Sequence, residues 1–468
     1  MDRAEMSIDG EQCGADSAFD VINPATGETF AQAPECSAAQ LQRAIAAADR
    51  AQRAWKRDLN ARRTAMRNAA ELLQARAEEI GRTLTLEQGK PIAHAIGEVA
   101  GAANQLRAAA DMPIPHEVTH DDARGRIEVT YRPYGVVAAI TPWNYPVLIA
   151  MSKIAPALLA GNAMVLKPSP YTPLSTLQIG EVLSQALPAG VLNVVSGGNE
   201  LGAQLTAHPD IKKISFTGSV ATGRRVAAAA GEDLKRVTLE LGGNDPAIVL
   251  DDADPATLGG SLFWSAFMNS GQICTAVKRV YAPASMLAAL TEAVATVAKS
   301  AKVGDGLDPD TMLGPINNAM QLERVCELVA DARQRGAVIH AGGERMPRKG
   351  YFFEPTVLSG VGDDVRIVAE EQFGPVLPLL PYDDLEDAIE RANGTHFGLG
   401  SSVWSASSER AREVAIEIDA GTVWVNQHLA LTPKAPFGGA KCSGIGEAGG
   451  RWGLESFMQK HVINERRA

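Results

Sequence analysis

Apolar positions recur at helical spacing early in the chain. Leu41, Ile45, Ala48 and Trp55 fall on one face, behind Ser37 at the position of an N-cap. Met66, Ala70, Leu73, Ala77 and Ile80 make a second stripe, with Asn60 as its expected cap. The first part therefore reads as helical. From residue 135 the pattern changes to short apolar runs separated by helical stretches. The runs cover 135–140, 163–166, 191–195, 211–216 and 237–241. Strands alternating with helices predict βαβ units around a parallel sheet. Such a sheet binds ligands beyond the carboxyl ends of its strands.

The second half repeats the alternation, with runs at 247–250, 279–281, 337–339, 356–358 and 421–425. The halves share no readable repeat, so two different α/β domains are expected. A Gly/Asn/Asp/Pro cluster at 241–246 is the expected connection. Residues 124–134 alternate at Ile127, Val129 and Tyr131, which predicts a strand pair apart from the main sheets.

Composition narrows the function classes. The 468 residues leave room for two or three domains, and 46% apolar with 21% charged is ordinary for a soluble protein. A net charge of −11 without a Lys/Arg cluster argues against nucleic acid. The longest apolar stretch, 154–166, is too short to span a bilayer and contains Asn162. Residues 1–20 lack the basic start and apolar core of a signal peptide. Five cysteines, an odd number without a C-x-x-C pair, speak against a disulfide framework or a zinc site. A reduced, cytoplasmic setting and no metal are expected.

Several short segments carry candidate chemistry. Cys274 lies in Gly271-Gln272-Ile273-Cys274-Thr275, where a glycine lets a substrate approach. The other four cysteines, Cys13, Cys36, Cys326 and Cys442, read as small buried hydrophobes. Glu240 interrupts the apolar run 237–241 and precedes Gly242-Gly243. It is either an edge-strand side chain facing water or a carboxylate held in a cleft, desolvated enough to act as a base. Phe216-Thr217-Gly218-Ser219 follows a strand and opens a helix, either as a plain turn or as a phosphate site. The G-x-G-x-x-G pattern is missing there. Asn144, in the rigid Thr141-Pro142-Trp143-Asn144-Tyr145-Pro146 loop, is a structural turn residue or an amide donor to an oxyanion. Lys167 at a strand end is a surface lysine or a ribose contact. Glu370-Glu371 reads, on its own, as an exposed acidic turn.

In order and spacing these segments resemble the aldehyde dehydrogenase superfamily over nearly the whole chain. The resemblance rests on Trp143-Asn144, Lys167, Phe216-Thr217-Gly218-Ser219, Leu239-Glu240-Leu241-Gly242-Gly243, Gly271-Gln272-Ile273-Cys274, Glu371-Gln372-Phe373-Gly374-Pro375 and Pro436-Phe437-Gly438-Gly439. Glu240 and Cys274 stand 34 residues apart. The resemblance implies an α/β fold: a Rossmann-like cofactor domain (1–119 and 135–242), a second α/β catalytic domain (243–442) and a small β oligomerisation element (120–134 and 455–468). It implies a homodimer or homotetramer in which the tail pairs with a neighbouring subunit.

The same resemblance assigns roles. Cys274 is the nucleophile, Glu240 the base for hydrolysis of a thioester, and Asn144 an oxyanion donor. Lys153 joins the catalytic set. Ile140, Trp143, Lys167, Ser169, Gly218, Ser219, Gly223, Leu241, Gly242, Glu371 and Phe373 are the expected cofactor residues. Among them, Lys167 and Glu371 would hold the two riboses, Ser219 the pyrophosphate, and Phe373 would pack near the nicotinamide. Tyr145, Ile149, Ile273, Thr275 and His428 line the expected aldehyde tunnel, a mostly apolar set that favours an aliphatic or aromatic aldehyde. His428 reads equally as structural. NAD⁺ is the expected cofactor, with NADP⁺ left open. Many NAD-preferring relatives carry Glu three positions after the lysine, where this chain has Pro170. Relatives often place a second carboxylate at the position of Ala448, and Glu447 is one residue out of register. The competing expectations are a CoA-acylating enzyme, against which Glu240 argues, and a silent binding protein, against which the Cys274/Glu240/Asn144 set argues.

Overall fold

The computed structural model describes residues 4–467. The described residues open on strands. β1 (Met6–Ile8) and β2 (Glu11–Cys13) form one hairpin, β3 (Ser17–Asn23) and β4 (Glu28–Glu35) another. β1 and β2 are only three residues each, and β1 is anchored by pairing Ser7 with the distant Val194. No local period announces such a strand.

α1 (Ala38–Trp55) starts as expected. Ser37 and Gln40 close a capping box, and Leu41, Ile45, Ala48 and Trp55 are buried. α2 (Leu59–Ala75) is capped by Asp58, whose carboxylate accepts the Ala61 N–H at 2.9 Å, and not by Asn60, which lies within the first turn. The single stripe expected from Met66 to Ile80 spans two helices. The break falls at Arg76, before α3 (Ala77–Gln88), yet all five stripe residues are buried. α4 (Ile92–Ala110) completes the helical block.

β5 (Glu117–Asp122) and β6 (Gly125–Pro133) are the expected strand pair, beginning at Glu117. Then β and α alternate: β7 (Val136–Ile140), α5 (Pro146–Ala160), β8 (Ala163–Lys167), α6 (Leu174–Ser184), β9 (Leu192–Val194), α7 (Asn199–Ala207), β10 (Ile211–Thr217), α8 (Val220–Glu232) and β11 (Arg236–Glu240). The second half holds β12 (Asp245–Val249), α9 (Pro255–Phe267), β13 (Val277–Pro283), α10 (Leu287–Ser300), α11 (Ala319–Gln334), β14 (Val338–Ala341), β15 (Thr356–Ser359), β16 (Val376–Tyr382), β17 (Gly400–Trp404), β18 (Thr422–Val425), β19 (Gly444–Ile445) and β20 (Met458–Arg466).

Two main sheets result. The first runs β19-β11-β10-β7-β8-β9-β1-β2, with β11 to β9 parallel. The second runs β14-β15-β16-β13-β12-β17-β18 and is parallel apart from β14. It is packed on both faces: Ile248 faces one apolar cluster, Ala247 and Val249 the other. β16 and β17 escape a reading of apolar runs. β16 carries Pro378 and Pro381, and buried β17 opens Gly400-Ser401-Ser402. Tertiary hydrogen bonds satisfy those serines: Ser401 Oγ donates to Pro246 O at 3.0 Å, and Ser402 Oγ accepts from Trp404 Nε1 at 2.9 Å.

The third sheet runs β20-β6-β5. β20 pairs with β6, from Met458 opposite Pro133 to Arg466 opposite Gly125. Of the four cysteines expected to be buried, only Cys36 is; Cys13, Cys326 and Cys442 are half-buried. No helix among the described residues is long and apolar enough to cross a membrane.

Candidate active site

β11 ends at Glu240 and β12 begins at Asp245, so the link between the two sheets is only residues 241–244. The link is pinned at both sides. Leu241 N donates to Ser443 O at 2.8 Å, Ser443 Oγ donates to Gly242 O at 2.7 Å, and Gly243 N donates to Glu371 Oε1 at 3.1 Å. The carboxyl end of the first sheet thus faces the turn that precedes β13, which carries Cys274.

That turn is strained by design of its contacts. Asn269 and Ser270 take φ of 52° and 56°, a left-handed conformation that costs side-chain-bearing residues energy. Gly271 follows with φ 72°, and a Cβ there would collide with the Gly374 carbonyl. Side chains hold the strain in place. Gln272 Nε2 donates to Asn269 O at 2.8 Å, its Oε1 accepts the Asn317 N–H at 2.8 Å, and Ser270 Oγ donates to Gly314 O at 2.7 Å.

Cys274 sits half-buried at the end of this turn. Burial pushes its thiol up to about 12; the Lys278 charge opposes that shift, and Glu371, Asp245 and Glu240 reinforce it. Lys278 was not foreseen. Its buried Nζ donates to Ile273 O at 2.7 Å and to Cys274 O and Ala276 O at 3.2 Å each. A lysine four residues past the nucleophile on a strand is the only local signal.

Glu240 is buried rather than solvent-facing, because β19 covers its strand through the Glu240–Gly444 pairing. Thr217 Oγ1 donates to Glu240 Oε2 at 2.8 Å, and Lys153 Nζ lies 3.5 Å from the same oxygen. Lys153 Nζ also donates to Ser215 Oγ at 3.1 Å. Asn144 is buried, and its Nδ2 donates to Gln272 O at 2.9 Å, two residues from the thiol.

A second group missed by sequence reasoning fixes Asn144. Lys90 and Glu98 form a fully buried ion pair. Lys90 Nζ donates to Asn144 O at 2.9 Å and sits 3.7 Å from the Tyr145 ring centroid. Glu98 Oε1 accepts the Val147 and Leu148 N–H groups at 3.0 and 3.1 Å, capping α5, whose N-cap Tyr145 offers no side-chain bond. Glu98 lies within α4, and Lys90 in the short link between α3 and α4.

The expected cofactor residues gather along the carboxyl edge of the first sheet. Ile140 ends β7, and Trp143 follows it, its ring edge-on to Phe373 at 5.3 Å. Lys167 ends β8, buried, with its ammonium on Pro168 O at 3.1 Å; burial lowers it to about 8 against the opposing charge of Glu35. Ser169 is buried and accepts the Tyr171 N–H at 3.3 Å. Gly218 and Ser219 open α8, where Ser219 caps Thr222 at 3.3 Å, and Gly223 packs under Leu241. Gly242 abuts the Glu371 carboxylate, which leaves no room for a side chain at Gly242. A buried lysine with one protein acceptor, a part-buried carboxylate and an open helix N-terminus fit the riboses and diphosphate of a dinucleotide.

The expected substrate residues meet on the other side of Cys274. Ile273 and Thr275 flank it and are buried, whereas Tyr145 and Ile149 are half-buried on α5. His428 is wired to the turn: its Nε2 lies 2.6 Å from Thr275 O, and its ring packs 4.6 Å from Trp424. A carbonyl only accepts, so Nε2 carries the proton and Nδ1 is bare. Burial lowers His428 to about 3, which keeps the ring neutral.

Comparison with known proteins decides the family. Residues 11–463 match the model of the aldehyde dehydrogenase family. The chain belongs to that family. It is 39% identical to a 3-sulfolactaldehyde dehydrogenase of Pseudomonas putida, covering 97% of this chain and 95% of that one. It is 38% identical to the NADP⁺ succinate-semialdehyde dehydrogenase of Escherichia coli, covering 98% and 96%. The NAD⁺ complex of a Bacillus cereus aldehyde dehydrogenase superposes with a TM-score of 0.97 at 34% identity, over 100% of this chain and 97% of that one. This aldehyde dehydrogenase oxidises an aldehyde to a carboxylic acid with NAD(P)⁺.

Proposed function

We propose that Cys274 is the nucleophile of this aldehyde dehydrogenase and Glu240 its hydrolytic base. The observation that carries the reading is the placement of Asn144 Nδ2 on Gln272 O at 2.9 Å, two residues from the Cys274 thiol, with the buried Glu240 held by Thr217 at 2.8 Å at the end of the facing sheet. The thiolate adds to the aldehyde carbon. The adduct's oxyanion takes hydrogen bonds from Asn144 Nδ2 and the Cys274 N–H. Bound NAD(P)⁺ supplies the hydride acceptor. Oxidation of the adduct leaves a thioester on sulfur. Glu240, positioned by Thr217 and Lys153, takes a proton from water as the water attacks the acyl carbon. Lys167, Ser169 and Glu371 are assigned to the riboses, the α8 N-terminus with Gly218 and Ser219 to the diphosphate, and Trp143 and Phe373 to the nicotinamide side.

NAD⁺ is the proposed cofactor. Pro170 removes one carboxylate, but Glu35 supplies another beside Lys167, anchored through the Gly198 N–H at 3.1 Å. That charge opposes a 2′-phosphate. The pocket set Tyr145, Ile149, Ile273, Thr275 and neutral His428 supports an uncharged aliphatic or aromatic aldehyde. The reduced cysteines support a cytoplasmic enzyme. A homodimer or homotetramer is proposed, assembled through the β20-β6-β5 sheet.

An aldehyde panel with each cofactor, read at the NADH absorbance, tests the reading. Cys274→Ser is expected to abolish the signal, and added CoA to yield no acyl-CoA. An active Cys274→Ser protein overturns the mechanism.

A further inference from the structure

A buried lysine normally faces a carboxylate. Lys278 is buried, yet every hydrogen bond its ammonium makes among the described residues goes to a backbone carbonyl. The acceptors are Ile273 O at 2.7 Å and Cys274 O and Ala276 O at 3.2 Å each. An ammonium has three donors, so all three are spent on the one turn that presents Cys274. Burial raises the carboxyls of Asp245 and Glu371, and the Lys278 charge opposes that shift in both, but neither is bonded to it.

The strand is interrupted to allow this. Asp245 of β12 lies opposite Val277 of β13, and the next pair is Pro246 with Arg279. Lys278 is therefore an extra residue, without a partner in that ladder. Such a break re-aims a side chain. Here it sends the lysine back along its own chain, onto the turn that precedes the strand.

The shortest of the three bonds falls on the peptide that joins Ile273 to Cys274. Its carbonyl also accepts the Ala276 N–H at 3.1 Å, so both lone pairs are engaged. No peptide bond among the described residues is cis, and in a trans peptide C=O and N–H point opposite ways. The Cys274 N–H is thus aimed away from Lys278, and it meets no acceptor among the described residues. On the preceding peptide, Gln272 O takes its bond from Asn144 Nδ2 at 2.9 Å. A carbonyl bonded to a cation draws its peptide's electrons toward oxygen, which makes the N–H of that peptide a stronger donor.

We propose, on the reading that Cys274 is the nucleophile, that Lys278 is a positioning residue for the oxyanion: its grip on Ile273 O fixes and polarises the 273–274 peptide, so that the Cys274 N–H is aimed and strengthened as a donor to the aldehyde oxygen. As the thiolate forms the C–S bond, the carbonyl π pair moves to that oxygen, where the N–H meets it. No proton moves in this step. Lys278 also has a longer-range effect, since its charge opposes the upward push of burial on the thiol. The two effects are separable. Alkylation by iodoacetamide consumes the thiolate without creating an oxyanion.

The test compares two second-order rate constants on the NAD⁺-saturated enzyme, kcat/KM for an aldehyde and the rate of alkylation by iodoacetamide. Their ratio cancels the thiolate population and leaves the oxyanion. Lys278→Met is expected to lower the ratio about tenfold, less than the 10²–10³ or so that loss of a whole oxyanion donor costs. Lys278→Gln keeps a neutral donor for Ile273 O and is expected to fall between. It carries the test if Lys278→Met does not fold, as judged by NAD⁺ binding. A wild-type ratio in a folded variant overturns the proposal. With slowed alkylation that result leaves a charge acting on the thiol alone, and with unchanged alkylation a merely structural lysine. An infrared spectrum adds a readout independent of rates. Glu240→Gln is expected to trap the thioester, whose isotope-labelled carbonyl lies where the oxyanion forms. Adding Lys278→Met is expected to move its stretch to higher wavenumber, and an unmoved band overturns the proposal. A missing thioester band in Glu240→Gln removes only the base and leaves the rate ratio to decide. An active Cys274→Ser enzyme removes the nucleophile itself.

Discussion

At Cys274 the site's own surroundings work against the nucleophile. Desolvation holds the thiol up near 12, and the Lys278 charge opposes it. The reactive species is the thiolate, so below that value its population rises tenfold for each pH unit. Alkylation by iodoacetamide is expected to climb about tenfold per unit from pH 7 to 9, and a plateau below pH 8 would contradict the assignment. Lys278→Met removes the opposing charge and is expected to slow alkylation further at every pH. Lys213 offers a stability test. Its folded value of about 7 lies below the ordinary lysine value near 10.4 in the unfolded chain. Between those values the unfolded state binds more protons, so this group's contribution to stability rises with pH from 7 to 10 and is lost as pH falls toward 7. Lys213→Met is therefore expected to raise the melting temperature more at pH 7 than at pH 10. An equal shift at both would refute it.

Elements deliver these residues to one place. Gly271 is the narrowest point: φ of 72° and a carbonyl against its Cα leave no space for a methyl group. Gly271→Ala is expected to lower the melting temperature and abolish turnover. A fully active variant would mean the turn is not the rigid support described. The Lys90–Glu98 pair is the matching support on the Asn144 side. Lys90→Met leaves the Glu98 charge buried and unpaired, at a cost of about 3–5 kcal/mol. Urea denaturation is expected to show that loss, whereas Lys90→Met with Glu98→Gln recovers part of it. At this scale sequence reading was uneven for a physical reason. Ser37 capped its helix as expected because capping is local. Asp58 displaced Asn60, two acceptors so close that only the backbone path chooses between them. β1, β16 and β17 were invisible because their partners lie far away in the chain, and long-range pairing overrides propensity.

Across the whole molecule, two sheets meet edge to end through residues 241–244, with the thiol contributed by one and the base by the other. The small third sheet serves neither. β5 is exposed along all six residues, and β20 has β6 on one side only. Free strand edges invite pairing between copies. Truncation after residue 457 is expected to convert the proposed oligomer to monomer in sedimentation; an unchanged sedimentation coefficient would move the interface elsewhere. Cofactor choice also belongs to this scale, since Glu35 ends β4 of the separate β3-β4 sheet and Lys167 ends β8 of the first sheet. Glu35→Gln is expected to raise kcat/KM with NADP⁺ relative to NAD⁺, and an unchanged ratio would remove Glu35 from that role.

The amino-acid sequence alone determined the reaction family, the identity of Cys274, Glu240 and Asn144 as candidates, and most of the parallel strands. Those features are written in residue order, spacing and local period, which need no partner to be read. Tertiary structure decided what surrounds them: Lys278 beside the thiol, Lys90 and Glu98 beneath Asn144, and Glu35 beside Lys167. Charge and desolvation depend on distance in space, and the chain brings those groups together from positions that carry no common pattern.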